Sequence, residues 1–177
     1  MDMERKSMDL SEIMISKEEI ASMVTRVAGE INNDYKDEEL VVIGILTGAF
    51  VFTADLVREL DMPVIIDFMQ VKSYQGTTST GTLTIKRDIS TDIRDKHVLI
   101  VEDIIDTGNT LKALKELLLT RGPKSLKICT AFDKPSRRVN DLTPDYNGIT
   151  VPDEFIVGYG LDYDGAYRNL KEVRIVR

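Results

Sequence analysis

A segment with the pattern of a buried strand runs straight into acids and small polar residues: Val98-Leu-Ile-Val-Glu102-Asp103-Ile-Ile-Asp106-Thr107-Gly108-Asn109-Thr110. The turn offers backbone N–H groups, two hydroxyls and the start of a helix, which are the parts of a phosphate cradle. Gly108 lets a backbone come close to a ligand. The three carboxylates would repel a bare anion. They make sense beside the cradle if the ligand also carries hydroxyls or a hard cation, as a sugar phosphate does. The plain alternative is an acidic cap on an ordinary helix, and the whole strand–acid–turn–helix arrangement argues against it.

Other chemistry-bearing residues are fewer. Lys134 follows the segment Ser125–Phe132 and reads either as a solvated loop charge or as a donor to a carbonyl. Phe155 has the spacing of a core residue. Ser73 to Gly81 has no apolar anchor, so its composition predicts a mobile loop. As a lid it would exclude water from a reacting centre. The Gly158-Tyr-Gly160 pair is no dinucleotide fingerprint, because position 163 is Tyr. Asp162-Tyr-Asp164-Gly165 lacks the remaining ligands of a calcium loop. His97 and Cys129 read as structural, and Arg137 and Arg138 as solvated. The chain has one Cys and one His. That rules out an internal disulfide and a tetrahedral His/Cys zinc site. Any metal must take oxygen ligands, which points to magnesium or a similarly hard ion.

These groups need elements to hold them. Ser16 and Glu19 form a capping-box pair, and Ile20, Met23, Val24, Val27 and Ile31 follow at helical spacing to Asn32-Asn33-Asp34. Buried strands are expected over Leu40–Leu46, Val64–Val71, His97–Val101, Ser125–Phe132 and Phe155–Tyr159, with Val173–Val176 as a short edge strand. Helices are expected over Phe50–Leu60 and Asn109–Thr120, and Thr82–Lys86 as the returning arm of a hairpin. Alternating buried strands and helices predict an α/β fold with a mainly parallel sheet flanked by helices, whose ligands sit at the carboxyl ends of strands.

The chain of 177 residues is the size of one domain, 1–177. Its 23 basic and 30 acidic residues give a net charge of −7, which argues against binding nucleic acid or an anionic membrane over the whole surface. Met1-Asp-Met-Glu-Arg-Lys lacks the apolar stretch of a signal peptide. Leu40–Phe52, the longest apolar stretch, is shorter than the ~20 residues of a membrane span. A cytoplasmic address is expected.

The acid-and-cradle segment resembles the phosphoribosyl-diphosphate motif of the type I phosphoribosyltransferases. Leu46-Thr-Gly48, Lys72-Ser-Tyr74, Asp133-Lys134-Pro135 and Phe155-Ile-Val-Gly-Tyr-Gly-Leu-Asp162-Tyr-Asp with Arg168 narrow the resemblance to the hypoxanthine-guanine phosphoribosyltransferase family. The resemblance implies transfer of a phosphoribosyl group from 5-phosphoribosyl 1-diphosphate to a 6-oxopurine, with magnesium. It implies Glu102 and Asp103 at the ribose hydroxyls and the metal, and Asp106 as general base or acid. The 5′-phosphate would lie on Asp106, Thr107, Gly108, Asn109 and Thr110. Lys134 would meet the purine's exocyclic oxygen, Phe155 would stack on the ring, and the Ile156 backbone would bond to it. Thr47, Gly48 and Arg168 would hold pyrophosphate, Asp162 would be a second metal ligand, and Ser73 and Tyr74 would open the lid. Thr47 departs from the family, which often has Lys there, so a side-chain charge contact is lost. The resemblance further implies a small hood from the N- and C-terminal segments and a homodimer or homotetramer, with no nucleic acid or membrane partner. Two other readings compete: a regulatory RNA-binding protein on the same scaffold, and a phospho-receiver-like domain. The latter has no use for the cradle or the polar loop.

Overall fold

The computed structural model describes residues 10–73 and 83–177. Its elements in chain order are β1 (Leu10–Ile15), α1 (Lys17–Asp34), β2 (Leu40–Ile45), α2 (Phe50–Val57), β3 (Val64–Ser73), β4 (Leu83–Arg87), β5 (His97–Ile105), α3 (Asn109–Leu119), β6 (Ser125–Asp133), β7 (Tyr146–Thr150), β8 (Ile156–Val157) and β9 (Val173–Val176). A single 3-10 turn, Pro135–Arg137, follows β6. Six strands form one sheet in the order β4-β3-β2-β5-β6-β7, and three form a second in the order β1-β9-β8. The large sheet is parallel except for β4, which folds back on β3.

Local chemistry explains the helices. The Ser16 hydroxyl accepts from the Glu19 N–H (3.2 Å) and the Glu19 carboxylate from the Ser16 N–H (2.8 Å), so two otherwise orphaned donors at the start of α1 are satisfied. These bonds, the Ser16 backbone first, hold the Glu19 pKa below its usual value. The expected apolar stripe Ile20, Met23, Val24, Val27 and Ile31 is buried, with Ala28. Strand β2 is buried along its whole length and serves both faces. Leu40 and Val42 pack with α1 and α2, whereas Val41 and Ile43 pack with Leu111, Leu114 and Leu118 of α3. These two apolar layers clamp the sheet that carries the strand ends of interest.

Several boundaries differ from expectation. Helix α2 stops three residues before Leu60, because Glu59 and Leu60 bond back three residues to Leu56 and Val57. Asn32 of α1 then takes over: its amide donates to the Glu59 carbonyl and its oxygen accepts from the Asp61 N–H. Strand β5 continues past Val101 to Ile105, since its ladder with β6 persists through Ile104↔Phe132 and Ile105↔Asp133. The segment Phe155–Tyr159 keeps only Ile156–Val157 as strand and lies in the small sheet. Strand β9 has its expected bounds, but it is central, between β1 and β8, and not an edge. Strands β1 and β7 were not expected. Among the described residues, no helix is long and apolar enough to cross a membrane.

Candidate active site

Three strand ends and one long loop build the site. Strand β5 delivers Glu102 and Asp103 and ends two residues later, placing Asp106 and Thr107 in a turn. Gly108 caps α3 at φ 84°, in the left-handed region where L side chains are strained, and its carbonyl accepts from the Lys112 N–H (2.9 Å). Glu102, Asp106, Thr107, Gly108 and Thr110 line one depression at the start of α3. Asn109 belongs to the same turn, but its side-chain oxygen accepts from Asn140 (3.0 Å).

The two neighbouring acids are held by their own backbone. Glu102 accepts from the Asp103 N–H (3.1 Å) and Asp103 from the Ile104 N–H (2.7 Å). Burial raises the Glu102 pKa well above the ordinary range, and the Asp103 charge and hydrogen bonding add to the rise. Burial also raises the Asp103 pKa, against hydrogen bonds and the Arg168 charge, which lower it. Two desolvated carboxylates side by side favour a cation or hydroxyl donors between them, so this donor set suits a hard metal with its water shell. Among the described residues, no three His, Cys, Asp or Glu side chains converge on one point, so Asp162 does not join Glu102 and Asp103 in a closed cluster.

The turn after β2 packs against this pair. Leu46–Thr47 is a cis peptide, Thr47 is exposed and Gly48 is buried. A side chain at Gly48 would overlap the Asp103 carboxylate, and one at Gly160 would overlap the Gly48 carbonyl. The 158–170 loop therefore closes on the Gly48 turn. Arg168 stitches this loop: Nη1 donates to the Gly160 carbonyl (2.6 Å) and Nη2 lies 3.1 Å from Asp162 Oδ1. The other Asp162 oxygen accepts from the Gly165 N–H (2.8 Å).

The end of β6 completes the site. Lys134 is 8% exposed. Its N–H donates to the Ile105 carbonyl (3.0 Å) and its Nζ to the Glu154 carbonyl (2.6 Å). A buried ammonium satisfied by a carbonyl excludes the solvated-loop reading. Ile156 is buried in β8. Phe155 is 51% exposed and meets the Tyr163 ring edge-on at 5.6 Å, so it is not the core residue its spacing suggested. Ser73 ends β3, while Tyr74 and the remainder of the expected lid up to Gly81 lie outside the described residues.

Arg137 and Arg138 correct the sequence reading, because neither is simply solvated. Arg138 is nearly buried and pairs with Asp133; it also donates to the carbonyls of Asp106 (2.6 Å) and Leu142 (2.9 Å). Arg137 donates from Nε to Asp106 Oδ1 (3.1 Å). The signal that could have found them is Asp133 beside buried Phe132: a carboxylate there needs a cation nearby. His97 and Cys129 are structural as read, with Cys129 fully buried and His97 Nδ1 2.6 Å from Ser125 Oγ.

Comparison with known proteins agrees with this geometry. The model of the phosphoribosyl transferase domain family matches residues 14–164. A hypoxanthine-guanine phosphoribosyltransferase of Staphylococcus epidermidis is 48% identical over 163 residues, spanning 92% of this chain and 91% of that protein. A hypoxanthine phosphoribosyltransferase of Salmonella typhimurium is 48% identical over 165 residues, spanning 92% of this chain and 93% of that one. The crystal structure of a hypoxanthine-guanine phosphoribosyltransferase of Bacillus anthracis superposes with a TM-score of 0.92 at 44% identity, covering 97% of this chain and 99% of that one. A ternary substrates complex of a hypoxanthine phosphoribosyltransferase from Trypanosoma cruzi gives 0.91 at 40% identity, covering 95% and 96%. These relatives lend no support to the RNA-binding reading.

Proposed function

Since the chain belongs to the phosphoribosyl transferase domain family, and within it to the hypoxanthine-guanine phosphoribosyltransferases, we infer that it is a purine salvage enzyme. It transfers the 5-phosphoribosyl group of 5-phosphoribosyl 1-diphosphate to N9 of hypoxanthine or guanine and releases pyrophosphate. The observation that carries this reading is the half-buried Glu102–Asp103 pair at the end of β5, beside the Gly108-capped start of α3, a site suited to a ligand with both hydroxyls and a phosphate.

The roles follow from the chemistry of each group. The N–H groups and hydroxyls of Thr107, Gly108, Asn109 and Thr110 suit the 5′-phosphate, at the positive end of α3. Glu102 and Asp103 suit the ribose hydroxyls and stabilise positive charge as the anomeric bond breaks. Asp106, exposed at the rim, would exchange a proton with a purine ring nitrogen. Lys134 has donors only, so it accepts a 6-oxo group and rejects an amino group. Phe155 offers an open ring face for stacking, and Ile156 offers backbone polar groups. Arg168, on the loop that closes on Gly48, would hold pyrophosphate together with Thr47 and Gly48. Ser73 and Tyr74 would open the lid. Magnesium would be held by Glu102 and Asp103, with Asp162, which stands apart from that pair, as a second ligand of the bound ion, and it would neutralise diphosphate charge. A cytoplasmic homodimer or homotetramer, with no nucleic acid or membrane partner, completes the reading.

A base-specificity assay tests it. The protein is given 5-phosphoribosyl 1-diphosphate and magnesium with hypoxanthine, guanine, xanthine or adenine in turn. Nucleotide formation from hypoxanthine or guanine, and none from adenine, is expected. Folded protein that turns over no base would overturn the reading.

A further inference from the structure

We propose that Arg137 is a positioning residue for Asp106, fixing the orientation of that carboxylate and tying it to the chain segment that carries the purine-side contacts. The inference rests on the assignment of Asp106 to proton transfer given above. Its own basis is geometric. Arg137 Nε donates to Asp106 Oδ1 at 3.1 Å. Among the described residues, no other side-chain donor reaches the Asp106 carboxylate, so Oδ2 is left for a ligand. Arg137 Nη1 lies 3.8 Å from Asp153 Oδ2, two residues before Phe155. One guanidinium therefore spans the proton-transfer group and the approach to the purine side.

The mounting of Arg137 suits the task. It ends the 3-10 turn Pro135–Arg137, and its own N–H bonds to the Lys134 carbonyl (3.0 Å). The next residue, Arg138, is locked between Asp133, the Leu142 carbonyl and the Asp106 carbonyl. Adjacent arginines thus grip the same residue twice, Arg138 by its backbone and Arg137 by its carboxylate. The residue capping the turn, Lys134, has its Nζ on the Glu154 carbonyl, so the cations on both sides of the turn reach the 153–154 stretch. The charged groups bordering Asp106 are these two arginines and, from the strand before it, Glu102.

A solvated Arg and a positioning Arg make different demands. The Arg137–Asp106 pair is half-exposed on both sides, and such pairs contribute little to stability. Misorienting a proton-transfer group costs rate all the same. The test is a double-mutant cycle with Arg137→Gln, Arg137→Lys and Asp106→Asn, reading kcat, both KM values and the thermal midpoint. Arg137→Gln is expected to lower kcat about tenfold, with KM for 5-phosphoribosyl 1-diphosphate and the thermal midpoint nearly unchanged. Arg137→Lys, which keeps the charge, should recover part of the loss. In the Asp106→Asn background, Arg137→Gln should add less than about a twofold further loss. Arg137→Gln with kcat unchanged, or with an equal loss in both backgrounds, overturns the inference while leaving the role of Asp106 intact. Asp106→Asn with kcat unchanged overturns both.

Discussion

In the proposed function, Lys134 is the side chain that would carry base specificity. It is buried, and its ammonium rests on the carbonyl oxygen of Glu154, the same type of acceptor as a purine 6-oxo group. Lys134→Gln replaces a charged donor by an amide that can both donate and accept. The expected result is a rise of roughly 10- to 100-fold in KM for hypoxanthine, with measurable turnover of adenine appearing. If adenine stays excluded to the same degree in a direct competition assay, Lys134 does not read the base. Gly48 carries a different constraint. A methyl group there would overlap the Asp103 carboxylate, so either the turn or the acid must move. Gly48→Ala is expected to cost about 1–3 kcal/mol in denaturant unfolding and to lower kcat/KM as well. An equally stable and active variant would show that the turn yields freely.

Asp67 does at the level of the element what caps do for helices. It lies in β3, nearly buried, and one of its oxygens accepts from the N–H groups of Ser90 and Thr91 (both 2.9 Å) and from the Thr91 hydroxyl (2.8 Å). The other accepts from the Phe68 N–H (2.7 Å). The hairpin exit is thereby pinned to the sheet. Burial alone would raise the Asp67 pKa, but the bonds from Thr91, Phe68 and Ser90 outweigh it and the net shift is downward from 3.8. A lowered folded value means the stabilisation is complete above the unfolded value and is lost as pH falls through the folded one. Asp67→Asn should therefore cost about 2 kcal/mol at neutral pH, and the gap from wild type should close below about pH 4. Thermal midpoints of both proteins across that range check it; a constant gap would show that the carboxylate charge is irrelevant. Elements were legible in the sequence where they bury their own pattern. The stripe of α1, the continuous apolar run of β2 and the cradle turn all read directly. The sequence pattern ends β5 at Val101, because Glu102 and Asp103 look like a strand end, yet the ladder from β6 carries them onward. Strand β7 is Tyr-Asn-Gly-Ile-Thr, with little apolar pattern, and becomes a strand because β6 supplies its partners. Arg138 looked solvated because its partners, Asp133, Leu142 and Asp106, are set by tertiary packing.

At the scale of the molecule, two sheets divide the work. The large sheet brings the ends of β2, β5 and β6 together. The small sheet and the loop leading into β9 bring Phe155, Ile156 and Arg168 against them. Strand β9 is the middle of the small sheet, so removing Val173–Arg177 leaves both β1 and β8 without partners. The truncated chain is expected to lose phosphoribosyl transfer while the large sheet persists, shown by amide-exchange protection retained in β2 and β5 but lost in β1 and β8. Full activity in the truncated chain would show that the small sheet is dispensable. The pairing of Leu10 with Val176 has a further meaning for how the molecule is made. In synthesis β1 precedes its partner β9 by every strand of the large sheet, so β1 waits unpaired while that sheet is made. The large sheet can close earlier, because all six of its strands precede β8 and β9 in the chain. The small sheet is therefore finished only once β9 has emerged, later than every strand of the large sheet.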